Sequence, residues 1–336
     1  PEIASSPIAP GVTAEPARTP AALERRARTP EAKKPAVRPG RRDWKGYVAQ
    51  FDHKGEIVER RSAKARHFLM PDGSVEALIS ASPIHYRAGD GSWQSIDSDI
   101  VAADQGYANT TNMLKSFFPV RSDGATRIGN AEDSTYAWTP RSAGYTRADG
   151  SYREVWKLSS VPAQIDGEQI SYPGIFPSAT DRYRIGAGNV KHDLVLDARP
   201  PVPQEGESAA TFDYVGVVEL GDDMAFYLDR TRQDGSFVTR GAVWVGSRDG
   251  ERLFQLGLPW AAEENGKKGV GGLYSVRPIG ARTWEMRLQI PSSWLLAADR
   301  KYPVKIDPTT VSQDGLKMDS SVDYQNIPLF DSGLVW

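Results

Sequence analysis

The residues to test first for chemistry are four histidines, His53, His67, His85 and His192. A zinc hydrolase places two imidazoles on one ion through His-x-His or His-Glu-x-x-His spacing, and none of the four stands at such a distance from another. With no cysteine in the chain, thiol nucleophiles, disulfides and Cys-based metal sites are excluded. No Gly-x-Ser-x-Gly elbow is present to carry a serine nucleophile. Carboxylates are plentiful but fall mostly in turns: Asp97 and Asp99 flank Ser98, Asp222 and Asp223 follow Gly221, and Glu263-Glu264 precede Asn265. Asp97, Asp99, Asp222 and Asp223 are the positions at which a calcium ion would find oxygen ligands, although no complete calcium loop surrounds them. A glycan hydrolase would need two carboxyls facing one sugar across a cleft. Sugars also stack on exposed indoles. Trp93, just after a turn, and Trp138 and Trp260, each next to a proline or turn, are the candidates for that, against the plainer reading of core packing. Asp307-Pro308 is an acid-labile type of peptide bond, here read as a strand end that a proline closes.

The elements that must position these groups follow from composition and periodicity. The chain has 336 residues, 39% of them apolar, a net charge of −2, and nine tryptophans and thirteen tyrosines beside thirty-one glycines. Such a charge gives no broad attraction to nucleic acid or anionic lipid, and no apolar run approaches the length of a spanning helix. Aromatics with glycine turns suit strands and hairpins. Asp-Gly pairs at 72–73, 90–91, 123–124, 149–150, 166–167, 234–235, 249–250 and 314–315, with Asn265-Gly266, predict tight hairpins of type I′. Between them, Trp284-Glu285-Met286-Arg287-Leu288-Gln289-Ile290 alternates strictly. Trp284, Met286, Leu288 and Ile290 then fill a core, with Glu285 and Arg287 on a wet face and Tyr302, Val304 and Ile306 packing beside them. One short helix is expected from Pro291-Ser292-Ser293 through Trp294-Leu295-Leu296. The fold class is all-β, with antiparallel sandwich-like sheets joined by tight hairpins.

Four stretches divide the chain. Residues 1–43 are Pro- and Ala-rich with an excess of basic residues, which predicts a disordered or extended arm or linker, with a short helix from Thr19-Pro20 to Arg28 at most. Residues 44–200 form a first β-rich domain and 209–310 a second, separated at the Pro200-Pro201-Val202-Pro203 to Ser208 interruption. Residues 311–336 read as an extension leading to a downstream region that the sequence lacks. The chain opens on Pro1, and a targeting segment could have preceded it.

Several segments together carry a resemblance. His67-Phe68-Leu69-Met70-Pro71-Asp72-Gly73-Ser74, Ser82-Pro83-Ile84-His85-Tyr86, Gly91-Ser92-Trp93-Gln94-Ser95-Ile96-Asp97, Lys191-His192-Asp193-Leu194-Val195-Leu196 and Lys301-Tyr302-Pro303-Val304-Lys305-Ile306-Asp307-Pro308-Thr309 are similar to the β-rich region upstream of RHS/YD repeats. Those repeats occur in large secreted or wall-associated bacterial proteins, many of them polymorphic toxins. The similarity runs over about residues 47–310. The chain lacks the Tyr-x-Tyr-Asp-x-x-Gly strands of the repeats themselves, so the resemblance implies an N-terminal piece and carries over no catalytic residue.

The function expected from the sequence is a structural or interaction module on the N-terminal side of an RHS-type protein, secreted or at the cell surface, which is not an enzyme and uses no cofactor. Its partners would be other domains of the same protein or a repeat cage that encloses a toxin, with no nucleic acid and no membrane span. A second reading is a carbohydrate- or wall-binding module. A third, from a different class, is a glycan hydrolase.

Overall fold

A computed structural model describes residues 55–130, 135–203, 209–264 and 268–312. The basic arm with its expected helix, the turns at Asn265-Gly266 and Asp314-Gly315, and the extension beyond Ser312 lie outside the described residues. What is described is nearly all β and antiparallel, as the alternation requires. Among the described residues helix is confined to one 3₁₀ turn at Val58–Arg60 and one α turn at Ser292–Leu295.

Two large sheets hold most of the strands. In the ten-stranded sheet the order is Phe237–Thr239, Leu273–Pro278, Thr283–Pro291, Ala209–Leu220, Thr135–Arg147, Thr126–Gly129, Lys115–Phe118, Gly106–Asn109 and Val101–Ala103. Strand Tyr152–Lys157 pairs alongside Thr135–Arg147. The twelve-stranded sheet runs Gln164–Asp166, Gln169–Phe176, Ala179–Gly186, Asn189–Leu196, Thr310–Ser312, Arg252–Leu256, Val243–Ser247, Met224–Leu228 and Thr231–Gln233. Strands Val304–Asp307, Trp260–Glu263 and Gly269–Gly271 branch from Asn189–Leu196. Strands from both sides of the Pro200–Pro203 stretch contribute to each: Thr135–Arg147 pairs with Ala209–Leu220, and Asn189–Leu196 pairs with Val304–Asp307 and Thr310–Ser312.

The sheets face each other, and aromatic rings meet between them. Ring centroids lie 5.3 Å apart for Phe118–Tyr183, 5.6 Å for Tyr136–Phe254, 5.4 Å for Phe226–Trp284 and 6.1 Å for Trp156–Phe176. Each pair takes one ring from either sheet, which makes one continuous core between two layers. The indole of Trp138 lies over Gly216, where a Cβ would come within 2.2 Å of the ring, so glycine there is what lets the large side chain in. Pro140 sits in the long strand Thr135–Arg147 between the segments paired to Thr126–Gly129 and to Tyr152–Lys157. One side of the strand has no partner at that point, and the missing N–H costs no ladder bond.

Four of the Asp-Gly turns form hairpins by a different geometry from the type I′ expected. At Met70–Ser74, Ala88–Ser92, Arg147–Ser151 and Ser247–Glu251 the fourth residue, a glycine, donates its N–H to the first carbonyl, and the first N–H reaches the carbonyl of the fifth residue. Only the glycines, at φ 86°, 80°, 83° and 93°, are left-handed, whereas the aspartates are not. This is a type I turn followed by a glycine bulge. In three of the four, the Asp carboxylate accepts the N–H of the serine two residues on, at 2.8 to 2.9 Å. Asp234-Gly235 makes no hairpin: it joins Thr231–Gln233 of one sheet to Phe237–Thr239 of the other.

Two smaller sheets precede these. One has strands Gly55–Glu56, Ala65–Leu69 and Val75–Ile79, and the other is the hairpin His85–Arg87 with Trp93–Ser95.

Candidate functional site

Two of the segments that carry the family resemblance, far apart in sequence, are neighbours in the twelve-stranded sheet. Leu194 pairs with Ile306 and Leu196 with Val304. Alternation then gives strand Asn189–Leu196 two chemical faces: Val190, His192, Leu194 and Leu196 point into the core, while Lys191 and Asp193 point away from it.

On the inward face His192 is buried with Asp181, its Nε2 lying 2.6 Å from Asp181 Oδ1. Tyr183 stacks on the imidazole at 4.2 Å and 15°, and Trp138 and Tyr214 meet it edge-on at 6.1 and 6.0 Å. Burial, and then the Asp181 charge, hold the Tyr183 and Tyr214 phenols well above the usual tyrosine range, so both stay neutral. A cavity of about 30 Å³ lies between Trp138, Tyr183, His192, Tyr214 and Tyr274. That is room on the scale of a water molecule, not of a sugar ring or a nucleotide. A His–carboxylate pair can relay a proton, but a substrate must come within hydrogen-bond reach of it, and this cavity does not admit one.

On the outward face sit two nearly buried carboxylates, Asp193 (4% exposed) and Asp307 (5%). They are adjacent because Asp193 precedes Leu194 and Asp307 follows Ile306 in antiparallel strands. Arg182 binds Asp193 Oδ2 at 3.0 Å. The Thr309 N–H and hydroxyl both donate to Asp307 Oδ1, the former at 2.7 Å, and Lys191 Nζ stands 4.0 Å from Asp307 Oδ2. Burial, and next the Asp193 charge, push the Asp307 carboxyl up to about 6 against the opposing pull of Thr309 and Lys191. A third buried acid, Asp213, is in the ten-stranded sheet. It accepts hydrogen bonds from Thr146 (2.6 Å), Thr211 (2.6 Å) and Gln289 (2.8 Å), and burial raises its pKa against those donors.

The three tryptophans expected to stack sugars are not brought together. Trp93 is half-buried in the small hairpin, with the Arg87 guanidinium 4.4 Å over its ring. Trp138 is buried between the large sheets, so its ring contacts His192 and Tyr214 and is no surface platform. Trp260 is half-buried across the strand pair from Asp307, its ring against Gly269. The four candidate calcium ligands form no cluster either. Asp97 Oδ1 accepts the Asp99 N–H at 3.0 Å, Asp222 pairs with Arg282, and Asp223 is exposed. Among the described residues no three His, Asp or Glu side chains are grouped to hold a metal. Trp284, Met286, Leu288, Ile290, Val304 and Ile306 are buried, and the half-buried Tyr302 donates its hydroxyl to the Leu295 carbonyl at 2.9 Å. Glu285 and Arg287 depart from the wet face expected of them. Both point outward but are only 19% and 18% exposed, because Arg277 clasps Glu285 at 2.9 Å and Arg287 lies 4.5 Å over the Tyr152 ring.

Sequence reasoning missed Asp181, Arg182 and Asp213. A signal existed for Asp181: in Ala179–Gly186 it takes an inward position alternating with Ala179, Tyr183 and Ile185, where a lone carboxylate must have a buried partner.

No known protein family matches the chain, nor does any solved structure. Three curated proteins are similar to it along most of its length. The tRNA nuclease WapA of Bacillus subtilis (strain 168) is 22% identical over 282 residues, covering 80% of this chain and 11% of that protein. The tRNA(Glu)-specific nuclease WapA of Bacillus subtilis subsp. natto and the tRNA3(Ser)-specific nuclease WapA of Bacillus spizizenii are each 21% identical over the same shares. The chain thus spans about a tenth of the length of these relatives. Their names correct the expectation of a protein that is not an enzyme, since all three are nucleases. The catalytic motifs sought in the sequence speak only for these 336 residues. No helix among the described residues is long and apolar enough to cross a membrane.

Proposed function

We propose that this chain is the β-sandwich scaffold of a much larger, toxin-type nuclease that acts on tRNA, and that it works outside the cytoplasm by holding other segments of that protein through surface contacts. The observation that carries this reading is one of proportion. Similarity extends over 80% of the chain yet covers only 11% of the relatives. The motif segments at 191–196 and 301–309 contribute the residues that pair two strands of a sheet. The site they build has a water-sized cavity, which suits positioning and rigidity.

The test is to produce residues 44–312 and the remainder of the parent protein as separate polypeptides and pass the mixture through a sizing column. The scaffold reading expects one co-migrating complex. Independent elution of the two would refute it. If the chain by itself bound immobilised wall glycan, the carbohydrate-binding reading would take its place.

A further inference from the structure

We propose that Asp193 and Asp307 share one proton across the seam between strands Asn189–Leu196 and Val304–Asp307, and that this proton is a pH-sensitive latch on the seam. The inference does not depend on the scaffold reading. It rests on which carboxylate oxygens are already occupied. Arg182 takes Asp193 Oδ2, and the N–H and hydroxyl of Thr309 take Asp307 Oδ1. That leaves Asp193 Oδ1, which is buried and has no hydrogen-bond partner, and Asp307 Oδ2, whose nearest cation, Lys191, is at 4.0 Å. Two adjacent carboxylates excluded from water cannot both ionise cheaply. With a proton on Asp307 Oδ2 donated to Asp193 Oδ1, the orphaned acceptor is satisfied and the pair carries one negative charge in place of two.

The charged groups around the pair set its balance. Arg182 comes from strand Ala179–Gly186 and Lys191 from the strand that bears Asp193. Lys305, on the Asp307 strand, is held 3.6 Å from Glu264. Tyr274, from strand Leu273–Pro278, is a phenol that burial above all keeps neutral, with Asp307 adding to the same effect when ionised. Trp260 faces Asp307 from the opposite neighbouring strand and is uncharged. One like charge therefore stands against a direct ion pair that Arg182 gives to Asp193 only, which is why the proton stays on Asp307.

The sign of the effect follows from the direction of the shift. A carboxyl raised from 3.8 to about 6 in the folded protein contributes stability that is fully present below the ordinary carboxylate value and is lost as pH rises through about 6. The corresponding loss in the folded-to-unfolded ratio is on the order of a hundredfold between about pH 4 and pH 7. It is measured as the difference between wild type and Asp307→Asn in urea melts across that range. The wild-type ratio should fall relative to the variant, and amides of 304–307 should lose protection, corrected for the intrinsic exchange rate, above pH 6 in wild type alone. Asp193→Asn removes the like charge and should move the Asp307 titration, read by ¹³C-carboxyl NMR, towards lower pH. Parallel pH profiles for wild type and Asp307→Asn would overturn the latch. Should that variant fail to fold, the wild-type NMR titration decides: an assigned Asp307 carboxyl that does not titrate above the ordinary range refutes the shared proton. Loss of the titration on adding calcium would show a metal ion in its place and refute it equally.

Discussion

Residues 55–95 and 100–312 are written in the same local grammar, with alternating strands and turns closed by Asp-Gly, yet only the second stretch builds a deep core. In the three-stranded sheet, strand Val75–Ile79 has Leu78 half-buried and every other residue exposed, with Ile79 at 76%. The corresponding positions of Thr283–Pro291 are buried because a second sheet covers them. Polar ties do much of the work in the small sheets: Arg61 binds Glu56 at 2.7 Å and the Trp93 carbonyl at 3.2 Å, and His85 Nδ1 lies 2.7 Å from the Ser62 carbonyl. Alternation thus specifies a strand and which face is apolar. What that face is worth depends on whether another layer covers it. Under the scaffold reading, the large sheets supply rigidity and the small ones supply contact surface.

The largest effects should come from the facing interiors of the two large sheets. Leu288→Ala in one and Ile306→Ala in the other should each cost about 2–5 kcal/mol in denaturant melts, since both side chains are fully enclosed and their removal leaves a cavity. A much smaller loss at either position would mean that one sheet is not packed as the other is. At the small end, Val75→Lys with Ile79→Lys should change stability by no more than about 0.5 kcal/mol. The same pair should weaken co-migration with the remainder of the parent protein. A loss like that of Leu288→Ala would place the Val75–Ile79 strand in the core and erase the contrast.

The sequence made one level of this legible and hid the next. Strict alternation located strand 283–291, and Ser292-Ser293 located the α turn at 292–295. The Asp-Gly pairs located the hairpins, but not their geometry. A bulge needs positive φ at glycine alone, and composition does not distinguish that from a turn needing it twice. Asp234-Gly235 looked like the rest, yet it crosses between sheets, a long-range choice made by packing. At the candidate site, Lys191-His192-Asp193 and Ile306-Asp307 were visible as motifs. Their adjacency, and the separation of His192 from Asp193 onto opposite faces, required the register of a strand pair that no local pattern encodes.

Hydrogen exchange followed along the whole chain tests the contrast most directly. The account predicts that amides of 169–196, 209–220 and 283–291 exchange together through global unfolding, because both large sheets take strands from either side of 200–208. Amides of 65–95 should exchange through smaller openings. Protection that divides at 200–208 into two separate free energies would contradict the shared sandwich, as would protection of 65–95 equal to that of 283–291.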